Sequence, residues 1–292
     1  MENTKKELEE LREEVSYLRE KLNRVSLSLQ DMLRLRGFSI HSSKGQNAET
    51  DKEDDLLLPD ERFIEEYYEL LKKYSFRLFL RDLIKQRGSF NVSDVTRYAT
   101  KEVTGGYLKA LERMGLLEGA GDGYRILFKQ VRSFGDTLEW FVSELLRREF
   151  CAQVLRGVKF SGRRVGGDYD IIARINGELC YVEVKSSPPR QVYDREVRAF
   201  LRRFLDLLPD VAIFLMDTHL RMKDKLVPMF DDAISELRDI DGAMKRVEAE
   251  CFTFEDRVFL VNSKPGIEYN IAKIIRYRIR NEFLKSMKGG FQ

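Results

Sequence analysis

Histidine is almost missing: His41 and His219 are the only two in 292 residues. A histidine-rich zinc or iron centre is thereby excluded, so any catalytic metal must be held by carboxylates, which favours Mg2+ or Mn2+. Cysteine is scarce too. Cys151, Cys180 and Cys251 are odd in number, widely spaced and form no Cys-x-x-Cys, which argues against a disulfide framework and a zinc ribbon and fits a reducing compartment. No apolar run approaches the ~20 residues of a membrane span. A Gly-x-x-x-x-Gly-Lys-Ser/Thr loop is absent, so no nucleotide cofactor of the P-loop kind is expected. The first residues are acidic and heptad-patterned, unlike a secretory segment. Together these absences lead to the expectation of a cytoplasmic protein with no membrane partner.

What is present begins with charge. Charged residues make up 34% of the chain and nearly cancel, to a formal net charge of +2. The balance is local: residues 257–292 carry eight Lys or Arg against two Glu, a surplus that suits a polyanion or merely a solvated basic helix.

Four segments follow one another. Residues 1–36 read as a coiled coil: Leu8, Leu11, Val15, Leu18, Leu22, Val25, Leu29 and Met32 alternate by three and four. With Leu8 at position a, Glu7 faces Arg12 and Glu14 faces Arg19 of a parallel partner. The expectation is therefore a parallel homodimer through residues 8–32, with an amphipathic helix docked on the body as the alternative. Residues 37–58 lose all periodicity and end in an acidic run, as a flexible linker would.

Residues 59–130 suggest three helices and a hairpin. Phe63, Tyr67 and Leu70 mark one helical face, and Phe76, Phe79, Leu80, Leu83 and Ile84 another. Asn91 with Asp94 opens a short helix, and a further helix runs from about Thr104 to Met114, before Gly115. Glycines 119, 121 and 123 then turn a hairpin. This order resembles winged helix-turn-helix domains. The resemblance implies that Leu108 and Leu111 face a core, leaving Thr104, Lys109 and Arg113 for a DNA groove; such domains also serve as protein-docking modules.

Residues 131–292 hold the chemistry. Two β-rich runs, Asp168–Ile175 and Glu178–Lys185, flank Asn176-Gly177, a strong signal for a two-residue hairpin. That turn sets the register: Ile175 faces Glu178, Ile172 faces Tyr181, Asp170 faces Glu183 and Asp168 faces Lys185. Alternation then puts Asp170, Glu183 and Lys185 on one face. Two carboxylates directly opposite one another destabilise a sheet unless a cation lies between them, and a divalent, oxygen-seeking metal is the obvious one. Lys185 can orient an attacking water or steady charge on a phosphorane.

At these residues the chain resembles the PD-(D/E)xK nuclease superfamily, above all its restriction-endonuclease-like and archaeal Holliday-junction-resolvase-like branches. The likeness covers roughly residues 133–264. It implies an α/β fold with a mixed sheet flanked by helices, Mg2+ or Mn2+ on Asp170 and Glu183, and a helical acid as a further ligand. Glu139, on a helix expected from Phe134 to Arg148, fits that acid, with Glu144 as the fallback. The proline of the motif is replaced by Tyr169, which leaves Asp168 as a rival to Asp170. Downstream, Arg195, Arg198 and Arg202 form a basic stripe on a helix from about Val192 to Leu208, suited to phosphates or to a salt-bridged surface. The activity expected is hydrolysis of DNA phosphodiester bonds; the alternative is a non-catalytic DNA-binding protein on the same fold.

Overall fold

The computed structural model describes residues 14, 27–44, 55–86, 88–128, 131–163, 165–237 and 242–289, the last eight as helix backbone alone. An eight-stranded mixed sheet lies between two layers of helices. Its strands are β1 (Ile40–Lys44), β5 (Gln153–Phe160), β6 (Tyr169–Ile175), β7 (Glu178–Lys185), β8 (Val211–Met216), β9 (Lys245–Glu248), β10 (Cys251–Phe254) and β11 (Val258–Asn262). In space they run β1-β5-β6-β7-β8-β11-β10-β9. The β7–β8 and β8–β11 pairs are parallel and the others antiparallel. Strand β8, Val-Ala-Ile-Phe-Leu-Met, is buried at every residue, as a central strand covered on both faces must be.

Alternation divides the sheet's side chains into two apolar layers. Ile171, Ala173, Cys180, Val182, Val184, Val211, Ile213 and Leu215 pack against α5 (Gly135–Phe150) and α8 (Ile267–Gly289). On the opposite face Ile172, Leu179, Tyr181, Ala212, Phe214 and Met216 pack against α6 (Asp194–Leu207) and α7 (Leu226–Ser235). The sequence pattern sets helices over 134–148, 192–208, 227–238 and 270–285 and strands over 168–175, 178–185, 211–216 and 258–261; all are present, with ends moved by at most four residues. Strands β1, β5, β9 and β10 were not anticipated.

A smaller unit holds α2 (Ile64–Lys72), α3 (Tyr74–Lys85), α4 (Lys101–Arg113) and a three-stranded sheet, β2 (Ser89–Phe90), β3 (Leu117–Ala120) and β4 (Gly123–Ile126), in the order β2-β4-β3. The short helix at Asn91 is a 3-10 turn closed by a capping box with Asp94. Helix α4 starts three residues earlier than expected because Thr100 caps it, its side chain accepting from the Val103 N–H. The apolar core of this unit runs without a break into α5, where Tyr68 meets Phe141 at 5.7 Å between ring centroids. Residue 130 is therefore not a boundary of the core.

The N-terminal expectations need correcting where the structure reaches them. Leu8 to Val25 lie outside the described residues, apart from the helical Glu14. The last two heptad positions do not continue a stalk. Ser28 caps a separate seven-residue helix, α1 (Leu29–Leu35), whose Leu29 and Leu33 are buried on the large sheet. The Leu29 N–H donates to Gln153 of β5 at 2.6 Å. Nor is the stretch 37–58 wholly a linker. Residues 40–44 form edge strand β1, and Leu57 is buried with its N–H on the Thr137 hydroxyl; residues 45–54 lie outside the described set. Among the described residues no helix is long and apolar enough to cross a membrane.

Candidate active site

The β6–β7 hairpin turns at Asn176 and Gly177, both at positive φ (51° and 87°), as a tight two-residue connection requires. The ladder follows the expected register from Ile175–Glu178 through Ile172–Tyr181 to Ile171–Val182, and stops there. Beyond it the Asp170 side chain takes over: its Oδ2 accepts the Val184 N–H at 2.8 Å. A side chain replaces a ladder bond, so the sheet's edge opens where the carboxylates sit.

Glu183 is buried, 3% exposed, and both of its oxygens are engaged. Lys185 Nζ donates to Oε1 at 2.9 Å, while Arg203 Nη1 donates to Oε2 at 3.0 Å and the Tyr181 hydroxyl also donates to Oε2. Lys185 further approaches Glu196 Oε1 at 3.4 Å. Burial works to lower the Lys185 pKa, but the charges of Glu183 and Asp170, with the hydrogen bond to Glu183, outweigh it and raise the group. Lys185 is thus a firmly charged cation.

Glu139 enters from α5. Its carboxyl is pushed up to about 7, first by burial, with Lys44 and Arg156 opposing and Asp136 and Glu183 adding to the rise. Asp170 is raised well above its ordinary value by burial and then by the charges of Glu183 and Glu139. Glu139, Asp170 and Glu183 therefore feel one another's charge. The rival acids have other partners. Glu144 is paired with Arg147 and Arg148 at 2.6 and 3.0 Å. Asp168 lies 3.5 Å from Lys159, not on Lys185 as the extended register suggested, because the ladder ends before reaching it.

The donor set is entirely carboxylate oxygen; burial first, and neighbouring carboxylate charge second, raise Asp170 and Glu139, and a divalent cation would offset both. Among the described residues no three His, Cys, Asp or Glu side chains are grouped as ligands of one ion. The residues fit a hard divalent ion in chemistry and charge, and Glu183 must exchange partners to receive one.

Sequence reasoning missed Tyr181, Glu196 and Arg203. Tyr181, Glu183 and Lys185 alternate on one strand face, a signal that was readable. Glu196 and Arg203 lie seven residues apart on α6, on the side of the buried Val197 and Phe200. The stripe expected to face the site is displaced from them by one residue, and one residue is 100° of helix rotation. Arg195 accordingly is exposed and lies over the Tyr193 ring, Arg202 is exposed, and Arg198 pairs with Glu236 at the end of α7. In the smaller unit Leu108 and Leu111 are core residues as expected. Thr104 is buried, at 1% exposure, and so is not offered to a groove. Lys109 and Arg113 are exposed, and Arg113 pairs with Glu66 of α2.

Just past β8, Asp217 is fully buried beside the site, its N–H donating to the Lys185 carbonyl at 2.8 Å. Arg77 Nη2 of α3 donates to its Oδ1 at 2.8 Å and Arg77 Nε to both carboxylate oxygens. Arg81 pairs with Oδ2 and donates to the Asp217 carbonyl at 3.0 Å. The smaller unit is thereby pinned to the C-terminal edge of the central strands.

No family profile and no curated protein matches the chain. Solved structures that it partly resembles include protein VC1899 from Vibrio cholerae, 18% identical, with 58% of this chain and 46% of that one covered and a TM-score of 0.34. Another is Can2 from Sulfobacillus thermosulfidooxidans, solved with cyclic tetra-adenylate: 14% identical, 64% and 50% covered, TM-score 0.36. The chain spans about half the length of each.

Proposed function

We propose that this chain is a metal-dependent nuclease of the PD-(D/E)xK type that hydrolyses DNA phosphodiester bonds. The observation that carries the reading is the opened end of the β6–β7 ladder, where Asp170 takes the Val184 N–H, Lys185 holds Glu183, and Glu139 lies near enough for its charge to act on Asp170. Asp170 and Glu183, with Glu139, would hold Mg2+ or Mn2+, which when bound supplies a Lewis acid for the scissile phosphate and an acidified water. Lys185 keeps its proton beside these carboxylates and offers a fixed positive charge to the phosphate or its attacking water. Tyr181 and Arg203 hold the Glu183 carboxylate in place.

On this reading the smaller unit is a winged helix that meets DNA through Lys109 and the hairpin, the body has the restriction-endonuclease-like architecture, and the protein works in the cytoplasm. A parallel dimer through the heptads before Ser28 presents two sites to one DNA. Removal of residues 1–27 tests the stalk: sedimentation should fall from dimer to monomer while the body still cuts.

The direct test is incubation of plasmid, linear, single-stranded and four-way-junction DNA with Mg2+, Mn2+ or EDTA, beside Asp170→Ala and Lys185→Ala. Metal-dependent cutting lost in both variants establishes the reading. A second reading, a DNA-binding protein without catalysis, is favoured by one observation: the chain's own cations already occupy both Glu183 oxygens. DNA bound and never cut under any metal would select it.

A further inference from the structure

Arg203 is a second cation on Glu183, beside Lys185. Its side chain is 13% exposed and reaches from α6 to Glu183 Oε2 at 3.0 Å and the Tyr181 hydroxyl at 3.3 Å. Space for it comes from Gly167. A Cβ at that position would stand 2.5 Å from Arg203 Nη2, and Gly167 is at φ +94°. One turn further along α6, Asp206 accepts the hydroxyl of Tyr169, two residues past Gly167, at 3.0 Å. A guanidinium carries five N–H donors, yet Arg203 Nε is buried with no acceptor among the described residues. Because that spare donor is shut inside the fold, it is not turned outward to a substrate phosphate. The group's business is with Glu183.

We propose that Arg203 is a positioning residue that fixes the Glu183 carboxylate and, by its charge, holds down the site's affinity for a divalent cation. This rests on the metal-dependent reading above. A positive charge at 3.0 Å from Oε2 opposes any second cation sharing that carboxylate. Lys185 and Tyr181 still hold Glu183 when Arg203 is removed, so loss of the charge outweighs loss of the contact. Gly167 belongs to the same device, since only a residue without a side chain lets the guanidinium pass.

The test is Mn2+ binding to the full chain, without DNA, by calorimetry and by the loss of free-ion electron paramagnetic resonance signal. The proteins are wild type, Arg203→Met, Arg203→Lys, Gly167→Ala, Gly166→Ala and Glu183→Gln, with circular dichroism to confirm folding. Arg203→Met should bind Mn2+ about 3- to 30-fold more tightly, the direction that removal of a nearby like charge dictates. Arg203→Lys should return towards wild type. Gly167→Ala, which displaces the guanidinium with Arg203 intact, should tighten binding too, whereas Gly166→Ala, with open space around its Cβ, should not. Gly167→Ala also keeps the test decisive if Arg203→Met does not fold. Unchanged or weaker binding in the folded variants, with wild type binding and Glu183→Gln impaired, overturns the role of Arg203 alone. If wild type binds no Mn2+, or Glu183→Gln binds as well as wild type, the metal reading falls and takes this one with it.

Discussion

Two buried carboxylates, each held by two cations, lie along neighbouring central strands, and the groups around them differ. Asp217 stands alone between Arg77 and Arg81. Burial pushes its pKa up, but the two arginines and their hydrogen bonds prevail and hold it below the ordinary value. Glu183 has Lys185 and Arg203, but Asp170 and Glu139 share the same space, and those two are raised. One cluster has more cation than carboxylate and is closed. In the other, Asp170 and Glu139 are raised chiefly by burial and then by neighbouring carboxylates, with Lys185 opposing at Asp170 and Lys44 and Arg156 opposing at Glu139. Burial alone therefore does not separate a structural ion pair from a chemical site; the local balance of charge does.

The sharpest way to break this comparison is to delete one charge from each cluster. Lys185→Ala should lower cleavage by about 10²–10³-fold, the range for losing one fixed electrostatic contact to developing charge. It should cost less in urea unfolding than the loss of Asp217, because Arg203 and Tyr181 still hold Glu183. Asp217→Ala should do the reverse. It strands two buried guanidinium groups and should cost about 3–5 kcal/mol in urea unfolding. If Lys185→Ala unfolds the protein and Asp217→Ala only slows cutting, the two clusters have been assigned the wrong way round.

The pH dependence of stability should carry opposite signs. Asp217 has a lowered pKa in the folded state, so its contribution is present above the ordinary value of 3.8 and is lost as pH falls below it, through the folded value. Glu139 is raised from 4.5 to about 7, so its contribution is full below 4.5 and disappears as pH climbs through about 7. In metal-free buffer Glu139→Gln should stabilise the protein at pH 8, by on the order of 1–3 kcal/mol, and far less at pH 4.5. A gain equal at both pH values would show that Glu139 does not titrate with the fold.

Smaller effects are expected at the surface. Arg195→Ala and Arg202→Ala, both on exposed side chains, should each reduce the salt dependence of DNA binding by about one unit of log–log slope if they touch phosphate. Thr104→Val should be smaller still. The Thr104 hydroxyl is buried with no partner among the described residues, so replacing it should leave DNA binding unchanged and stability equal or higher. A loss of DNA binding in Thr104→Val would restore that residue to the interface.

The amino-acid sequence by itself determined the local geometry of the site. Asn176-Gly177 forces a two-residue turn, the turn sets the register, and strict alternation then puts Asp170, Glu183 and Lys185 on one face whatever surrounds them. It determined β8 as a central strand, because six consecutive apolar residues bury on both sides, and it placed α5 through its apolar periodicity and α6 through arginines spaced by three and four. Tertiary structure decided the rest. Which side of α6 meets the site depends on 100° of rotation per residue, too fine for a stripe of arginines to settle, and so Arg203 and Glu196 were passed over. Whether Glu139 or Glu144 joins the carboxylates depended on tertiary placement: Glu144 is ion-paired with Arg147 and Arg148, while Glu139 is buried near Glu183 and Asp170. The heptads suggested a stalk out to Met32, but Ser28 caps a new helix and Leu29 finds the large sheet. Residues 40–44 carry no strand period, and become a strand because the edge of β5 offers unpaired backbone donors and acceptors. The Asp217 clamp joins residues 140 positions apart, and no local pattern reveals such a pair, because its stabilisation exists only once the chain has brought both charges out of water together.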